Sequence, residues 1–359
     1  MSLVKSSSSR IDFLDYMRVV AFLSVLLGHK FHSDIAALSV DDGVHITIRL
    51  LMSALSGITY AGAAGVVLFF FTSGYIITHV VTRENVVDFA IRRCFRIYPL
   101  FWFAVLMEVI LDKSVLGINY PDAIVIIQRM LLIGDFTDTP YGLAGVEWTL
   151  RIELMFYLFM GVIKATGLID RSFLLPVVYA FAVAVLSLSG PFPNHAEWSS
   201  GYFNLYFPFL LCGSLIYIAQ EKMANRAVCY SVLLLIFLAF LMNTLHFKPW
   251  LKESHHAIIA SGIFIISCAY RHKIRATASI LLLSELTYSV YLLHSWTWKY
   301  LEMICEWVGI KFIPLRVQIV ILLFVICYIS YKLIELPAIR VGREVSRMVK
   351  TRRESSIAV

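Results

Sequence analysis

The chain is short of charge. Only 15% of its 359 residues are Asp, Glu, Lys or Arg, against about a quarter in ordinary soluble domains. It has no Gly-rich nucleotide loop and no internal repeat. Its six cysteines (Cys94, Cys212, Cys229, Cys268, Cys305 and Cys327) lie in or beside apolar runs without metal-ligand spacing, so they read as packing residues, with neither disulfides nor a metal expected. The first apolar stretch has no small-residue cleavage site behind it and contains charges, which marks a retained span rather than a removed signal. What remains is hydrophobic: 59% of the residues, with a mean hydropathy of +0.78. That excludes an ordinary soluble domain and points to an all-α polytopic membrane protein. The net charge of +7 is accounted for by loops and tail on one side, so no nucleic-acid partner is inferred from it.

Hydropathy places ten spans, at roughly 11–31, 62–81, 95–112, 147–167, 172–190, 203–219, 227–246, 256–270, 281–304 and 314–335. Segment 121–134 is apolar but short and holds Gln128 and Arg129; it reads as an interfacial or re-entrant piece, with 44–58 a weaker case. Lys and Arg concentrate on one set of flanks: Lys5 and Arg10, Arg83 to Arg96, Lys164 and Arg171, Lys222 and Arg226, Arg271 to Arg275, and the tail from Lys332. This bias puts both termini in the cytoplasm, as an even number of spans requires. Residues 1–337 then form one membrane domain. Residues 338–359 are a basic cytoplasmic tail, a solvated or headgroup-facing extension that attracts anionic lipid.

The first span, RIDFLDYMRVVAFLSVLLGHKF, organises the rest. Asp12 and Asp15 suit the start of a helix, with Ser9 as N-cap and Asp15 pairing to Arg18 at i+3. Arg18 and His29 are eleven residues apart, which returns to within about 20° of one face and separates them by roughly 16 Å along the axis. Taken singly, Arg18 suits snorkelling and His29 an interfacial position. Stacked on one face, they must look into a bundle interior or a wet cavity.

Other polar residues recur at span ends. Ser73-Gly74 in the second span suits close helix approach. Arg92, Arg93 and Arg96 crowd the start of the third span at the inner face, with Tyr98, Pro99 and Trp102 behind them. Positive-inside anchoring and an aromatic belt describe them; a phosphate clamp describes three arginines in five residues better. In the fourth span Glu147 and Arg151 pair at i,i+4 on the outer side, while Glu153 points elsewhere, lies deeper and needs a partner, for which Arg18 or His29 would serve. The outer loops offer Trp198, Tyr202 and Trp250 for stacking on sugars, with His195, His246, His255 and His256 as hydrogen-bonding groups. In the ninth span His294 sits mid-span, by default a satisfied core histidine, and Lys299 pairs with Glu302. Glu335, before the helix-stopping Pro337, meets a basic loop.

Six of these elements, in this order, resemble the membrane-bound acyltransferase-3 family. They are LDYMR with Arg18 and His29; GVVLFFFTSGYIIT, with Tyr75 in place of Phe; and Arg93-Cys94-Phe95-Arg96 followed by Ile97-Tyr98-Pro99. Then come Trp148-x-Leu150-x-x-Glu153-x-x-Phe156-Tyr157, Tyr288-Ser289-x-Tyr291-Leu292-Leu293-His294, and Glu335-x-Pro337. The resemblance spans Asp12 to Pro337. The chain departs from longer members in having no appended extracytoplasmic hydrolase-like domain.

The resemblance implies a stand-alone O-acyltransferase of a bacterial inner membrane, most often an O-acetyltransferase. Acyl-CoA, acetyl-CoA first, would bind from the cytoplasm with its phosphates near the RxxR arginines and Tyr98. The acyl group would reach His29 and pass to a hydroxyl of an extracytoplasmic or lipid-linked glycan such as O-antigen, capsule or exopolysaccharide. His29 would be the general base, or the carrier of a transient acyl group. Arg18 would hold pantetheine or polarise the thioester carbonyl, and Glu153 would orient one of them. Trp148, His294, Trp198 and Trp250 are candidates for the acceptor. A transporter or flippase of a glycan or lipid, with Arg18, His29 and His294 as its polar path, is the alternative; inverted halves with paired broken helices, its usual marks, are not seen.

Overall fold

A computed structural model describes residues 11–194, 197–248 and 255–357. Among these residues every regular element is helical. The α-helices are α1 (Asp12–Lys30), α2 (His32–Val40), α3 (Ile46–Thr59), α4 (Ala63–Val81), α5 (Val86–Leu116), α6 (Ala123–Met130), α7 (Glu147–Ala165) and α8 (Leu175–Leu188). They continue with α9 (Tyr202–Gln220), α10 (Arg226–Phe247), α11 (His255–Ala269), α12 (Ala278–Leu293), α13 (Trp298–Val308), α14 (Leu315–Ser330) and α15 (Leu336–Ile357). Six stretches among the described residues are long and apolar enough to cross a bilayer, and α1 with α2, bent by 78°, makes a seventh. The protein is an integral, polytopic helical membrane protein. Of the other expected spans, two fall on the shorter apolar helices α11 and α12, and one on α7, which carries Glu147, Arg151, Glu153 and Lys164. Segment 121–134 holds only the eight-residue α6.

The chain divides into two compact units, 11–69 with 256–287, and 70–255 with 288–359. In the first, α1 opens at Ile11 without a side-chain cap; Ser9, the expected cap, lies outside the described residues. Asp15 is buried, accepts from Ser284 Oγ at 2.6 Å and has Arg18 at 3.9 Å, the expected i,i+3 pair. At its other end α1 turns into α2, and α3 packs back on α2. Ser24 Oγ donates to the Ile58 carbonyl at 2.9 Å, and His32 Nδ1 lies 3.3 Å from Thr59 Oγ1. Gly28 lets the 59–62 segment pack on α1. A Cβ there would stand 2.3 Å from the Thr59 carbonyl oxygen and 2.4 Å from Gly62 N.

In the second unit, α4 and α9 cross at two glycines. A Cβ on Gly74 would fall 1.9 Å from the Leu210 carbonyl oxygen, and one on Gly213 would fall 2.0 Å from that of Phe71. Small residues let backbones touch, as expected of Ser73-Gly74. Gly74→Ala and Gly213→Ala should each lower the thermal midpoint in detergent, at a cost of about 1–3 kcal/mol. The double variant should cost clearly less than the sum, because one methyl already forces the helices apart.

Three sequence expectations change in this unit. The ninth span is broken: α12 ends at Leu293 and α13 starts at Trp298. His294 Nδ1, Trp296 Nε1 and Thr297 Oγ1 take the carbonyls of Tyr291, Leu292 and Leu293 at 2.7, 3.1 and 2.6 Å, satisfying acceptors a helix end leaves open. His294 is therefore a buried residue of a helix break rather than mid-span. Lys299 meets Asp112 at 2.6 Å rather than Glu302, because α13 lays it against α5.

The tail is helical and buries one face. α15 packs along α5, with Gly342 against Phe95, where a Cβ would sit 2.6 Å from the Phe95 Cβ. Buried Ser346 Oγ donates to Asp88 Oδ1 at 2.5 Å. Ala338, Gly342 and Ser346, at every fourth residue, supply the small face that permits this approach. Glu335 accepts from Ser289 Oγ at 2.9 Å.

Candidate active site

Glu153 lies six residues beyond Glu147, about 9 Å further along α7. Its Oε1 accepts from Ser73 Oγ at 2.9 Å and from Tyr157 Oη at 2.5 Å, the latter one turn away at i+4. The Tyr157 hydroxyl lies in the field of Glu153, Arg93 and Arg96, and the Tyr288 hydroxyl in that of Glu335, Glu153 and Arg96. Tyr288 donates to the Ile97 carbonyl at 2.7 Å, tying α12 to the arginine turn of α5. One cluster thus holds the RxxR arginines and Glu153, and Glu153 has hydroxyl partners on its own unit.

The three arginines are not equivalent. Arg92 pairs with Glu84 at 2.5 Å. Arg93 lies over the Phe89 ring at 6.0 Å. Among the described residues, Nε of both is buried without a hydrogen-bond partner, leaving donors for an added anion. Tyr98 is two residues past Arg96, turns to the opposite face of α5 and packs on Trp102, with ring centroids 5.4 Å apart.

A second cluster of the same unit gathers Trp148, Trp198, Tyr141 and Tyr202. Trp148 stacks on Tyr202 at 4.3 Å, and Trp198 on Tyr141 at 4.6 Å. Trp198 is 45% exposed. Beneath them Arg151 bridges Asp135 and Glu147 at 2.5 and 2.6 Å and lies 4.6 Å from the Tyr141 ring centroid. The Glu147 pair is the expected one; Asp135 and Tyr141 were not foreseen. Trp250 and His195 lie outside the described residues.

Lys248, counted from the sequence only as an outer cation, is 1% exposed. Its Nζ donates to the Trp198 carbonyl at 2.6 Å and sits 3.8 Å from the Tyr202 centroid. Burial pushes its pKa down to about 8, against an opposing pull from Glu197. Between about pH 8 and the unfolded value near 10.4 the unfolded chain binds more protons, so folding stability should rise with pH across that window. Melting curves should show this rise in the wild type and lack it in Lys248→Met.

On the first unit, Arg18 is partly exposed and lies in the N-terminal half of α1. His29 is exposed in the last turn. Its Nε2 would stand 3.3 Å from a Cβ on Gly62, whose φ of +69° only glycine adopts freely. Gly62 therefore sets the room around the imidazole, and Gly28 lets Gly62 come that close to α1. Neither was singled out in the sequence, since a Gly within an apolar run carries no sign of what packs on it.

Helices, buried charge clusters and an exposed imidazole beside a kinked span define an integral membrane protein with polar chemistry in its bundle. Residues 11–332 match the acyltransferase-3 family, described as an acyltransferase domain, and the chain belongs to that family. It is 29% identical over 134 residues to the exopolysaccharide production protein ExoZ of Rhizobium meliloti (strain 1021), a match spanning 35% of this chain and 40% of that protein. No solved structure matches the chain.

Proposed function

We propose that the protein is an acyl-CoA-dependent membrane O-acyltransferase, with acetyl-CoA the first donor to test. It moves the acyl group from the cytoplasm to a hydroxyl of an extracytoplasmic or lipid-linked glycan, such as an exopolysaccharide, capsule or O-antigen unit, in a bacterial inner membrane. On this reading α7, α11 and α12 complete a set of ten spans, and both termini are cytoplasmic. The observation that carries the donor assignment is the pair Arg93 and Arg96 beside Glu153 and Tyr157, with a buried guanidinium nitrogen still open to an anion. The name of the ExoZ relative supports a polysaccharide acceptor.

In the proposed reaction His29 takes the proton of the acceptor hydroxyl as its oxygen attacks the thioester carbonyl. Arg18 polarises that carbonyl or holds the pantetheine arm. The tetrahedral adduct collapses by breaking the C–S bond, and the CoA thiolate takes up the proton from His29. Glu153 acts as a positioning residue through Ser73 and Tyr157. Trp148 and Trp198 offer ring faces to the sugar, and His294 and Trp250 are further candidates for the acceptor.

Purified protein in nanodiscs, given radiolabelled acetyl-CoA and a glycan acceptor, tests the reading. Label on the glycan with stoichiometric free CoA supports it. No saturable CoA binding, with glycan movement across proteoliposomes, would replace it with a transporter.

A further inference from the structure

α5 and α15 form an antiparallel pair: Gly342 faces Phe95, and four residues on Ser346 reaches back to Asp88. Taking Phe95 as the contact line of α5, Arg92 and Arg96 lie about 60° and 100° round the helix. Taking Gly342 as the contact line of α15, Arg343 lies about 100° round, with Arg347 and Lys350 within about 40° of it. For two right-handed helices packed antiparallel, equal rotations from the contact line turn to the same side of the pair. Arg343, next to Gly342, is also level with the Arg92–Arg96 turn. Arg343, Arg347 and Lys350 are exposed. The opposite side of the pair carries Val341 and Met348, both exposed. Arg92 and Arg96 of α5 therefore share one side of the helix pair with Arg343, Arg347 and Lys350 of α15.

We infer that Arg343 and Arg347 extend the arginine site of α5 and bind the phosphorylated adenine-nucleotide end of acyl-CoA. This rests on the proposed donor. CoA carries a pyrophosphate and a separate ribose 3′-phosphate, more anionic groups than the RxxR turn alone can fork. A second helix roughly 8–10 Å away places further guanidinium groups within reach of the same nucleotide. A lipid headgroup suits the geometry less well. α14 and α15 run on as one stretch, Leu315–Thr351, of 37 residues. At about 55 Å it outruns a hydrocarbon core of about 30 Å, so Arg347 and Lys350 project into water beyond the membrane surface.

The test is equilibrium binding of CoA and of dephospho-CoA, which lacks the 3′-phosphate, to the full chain in phosphatidylcholine nanodiscs. Wild type should bind CoA about 10-fold more tightly than dephospho-CoA, the worth of one well-placed charge-assisted contact. Arg343→Gln with Arg347→Gln should lose that discrimination and bind both ligands alike, with an unchanged melting curve because both side chains are exposed. CoA affinity unchanged in this variant but lost in Arg93→Gln with Arg96→Gln would overturn the inference and leave the donor assignment standing. A wild type that binds no CoA would overturn both.

Discussion

Replacing His29 by Ala should lower glycan acylation by about 100-fold or more while CoA affinity stays within about twofold. A positioned general base contributes roughly 10²–10⁴ to rate, and in the proposed reaction the phosphates of CoA are held by other residues. The structure gives the role a physical setting. His29 is exposed in the last turn of α1, where the chain bends by 78°, and Gly62 lies against its imidazole. His29→Gln, which keeps a hydrogen-bonding side chain without a base, should be nearly as slow. A His29→Ala protein acylating at wild-type rate would remove the base from the mechanism.

Arg151→Met should be the most destabilising single change in the second unit. The guanidinium is 4% exposed and bridges Asp135, at 8%, and Glu147, at 0%. Removing it leaves two buried carboxylates without their cation, a loss of about 3–5 kcal/mol. The damage should spread through the segment that follows α6. There Arg129 Nε holds the Pro140 carbonyl at 2.9 Å, and Glu108 holds Leu143 N at 2.8 Å. Size-exclusion profiles and melting curves should show the loss. Adding Glu147→Gln should recover part of it, because one unpaired charge is removed. A midpoint equal to wild type would mean that the bridge adds nothing to stability.

Much of this was legible in the sequence where the signal is local. Glu147 with Arg151 and Asp15 with Arg18 are one-turn pairs, and helical spacing alone predicts them. Ser73-Gly74 announced a close helix contact, though not that Gly213 answers it from α9. What the sequence could not convey is which remote element covers a polar group. Lys299 was assigned to Glu302 by spacing, yet Asp112, far away in the chain, is nearer. Lys248 looked like an ordinary outer cation because nothing in its neighbours says that Trp198 and Tyr202 close over it. The tail read as a solvated or headgroup-facing extension because of its many charges; the packing face is made of Ala338, Gly342 and Ser346, which hydropathy scarcely registers. His294 keeps the buried, satisfied character expected of it, in a helix break that the unbroken apolar run concealed.

The central claim is that an acyl group crosses the membrane while CoA does not. Proteoliposomes should be loaded with acetyl-CoA labelled in the acetyl group on the side of the Arg93–Arg96 turn, with the glycan acceptor on the other side. The account predicts labelled glycan in the acceptor compartment and an equal amount of free CoA retained in the donor compartment. Transfer only when donor and acceptor share a compartment, or CoA recovered beside the glycan, would contradict it.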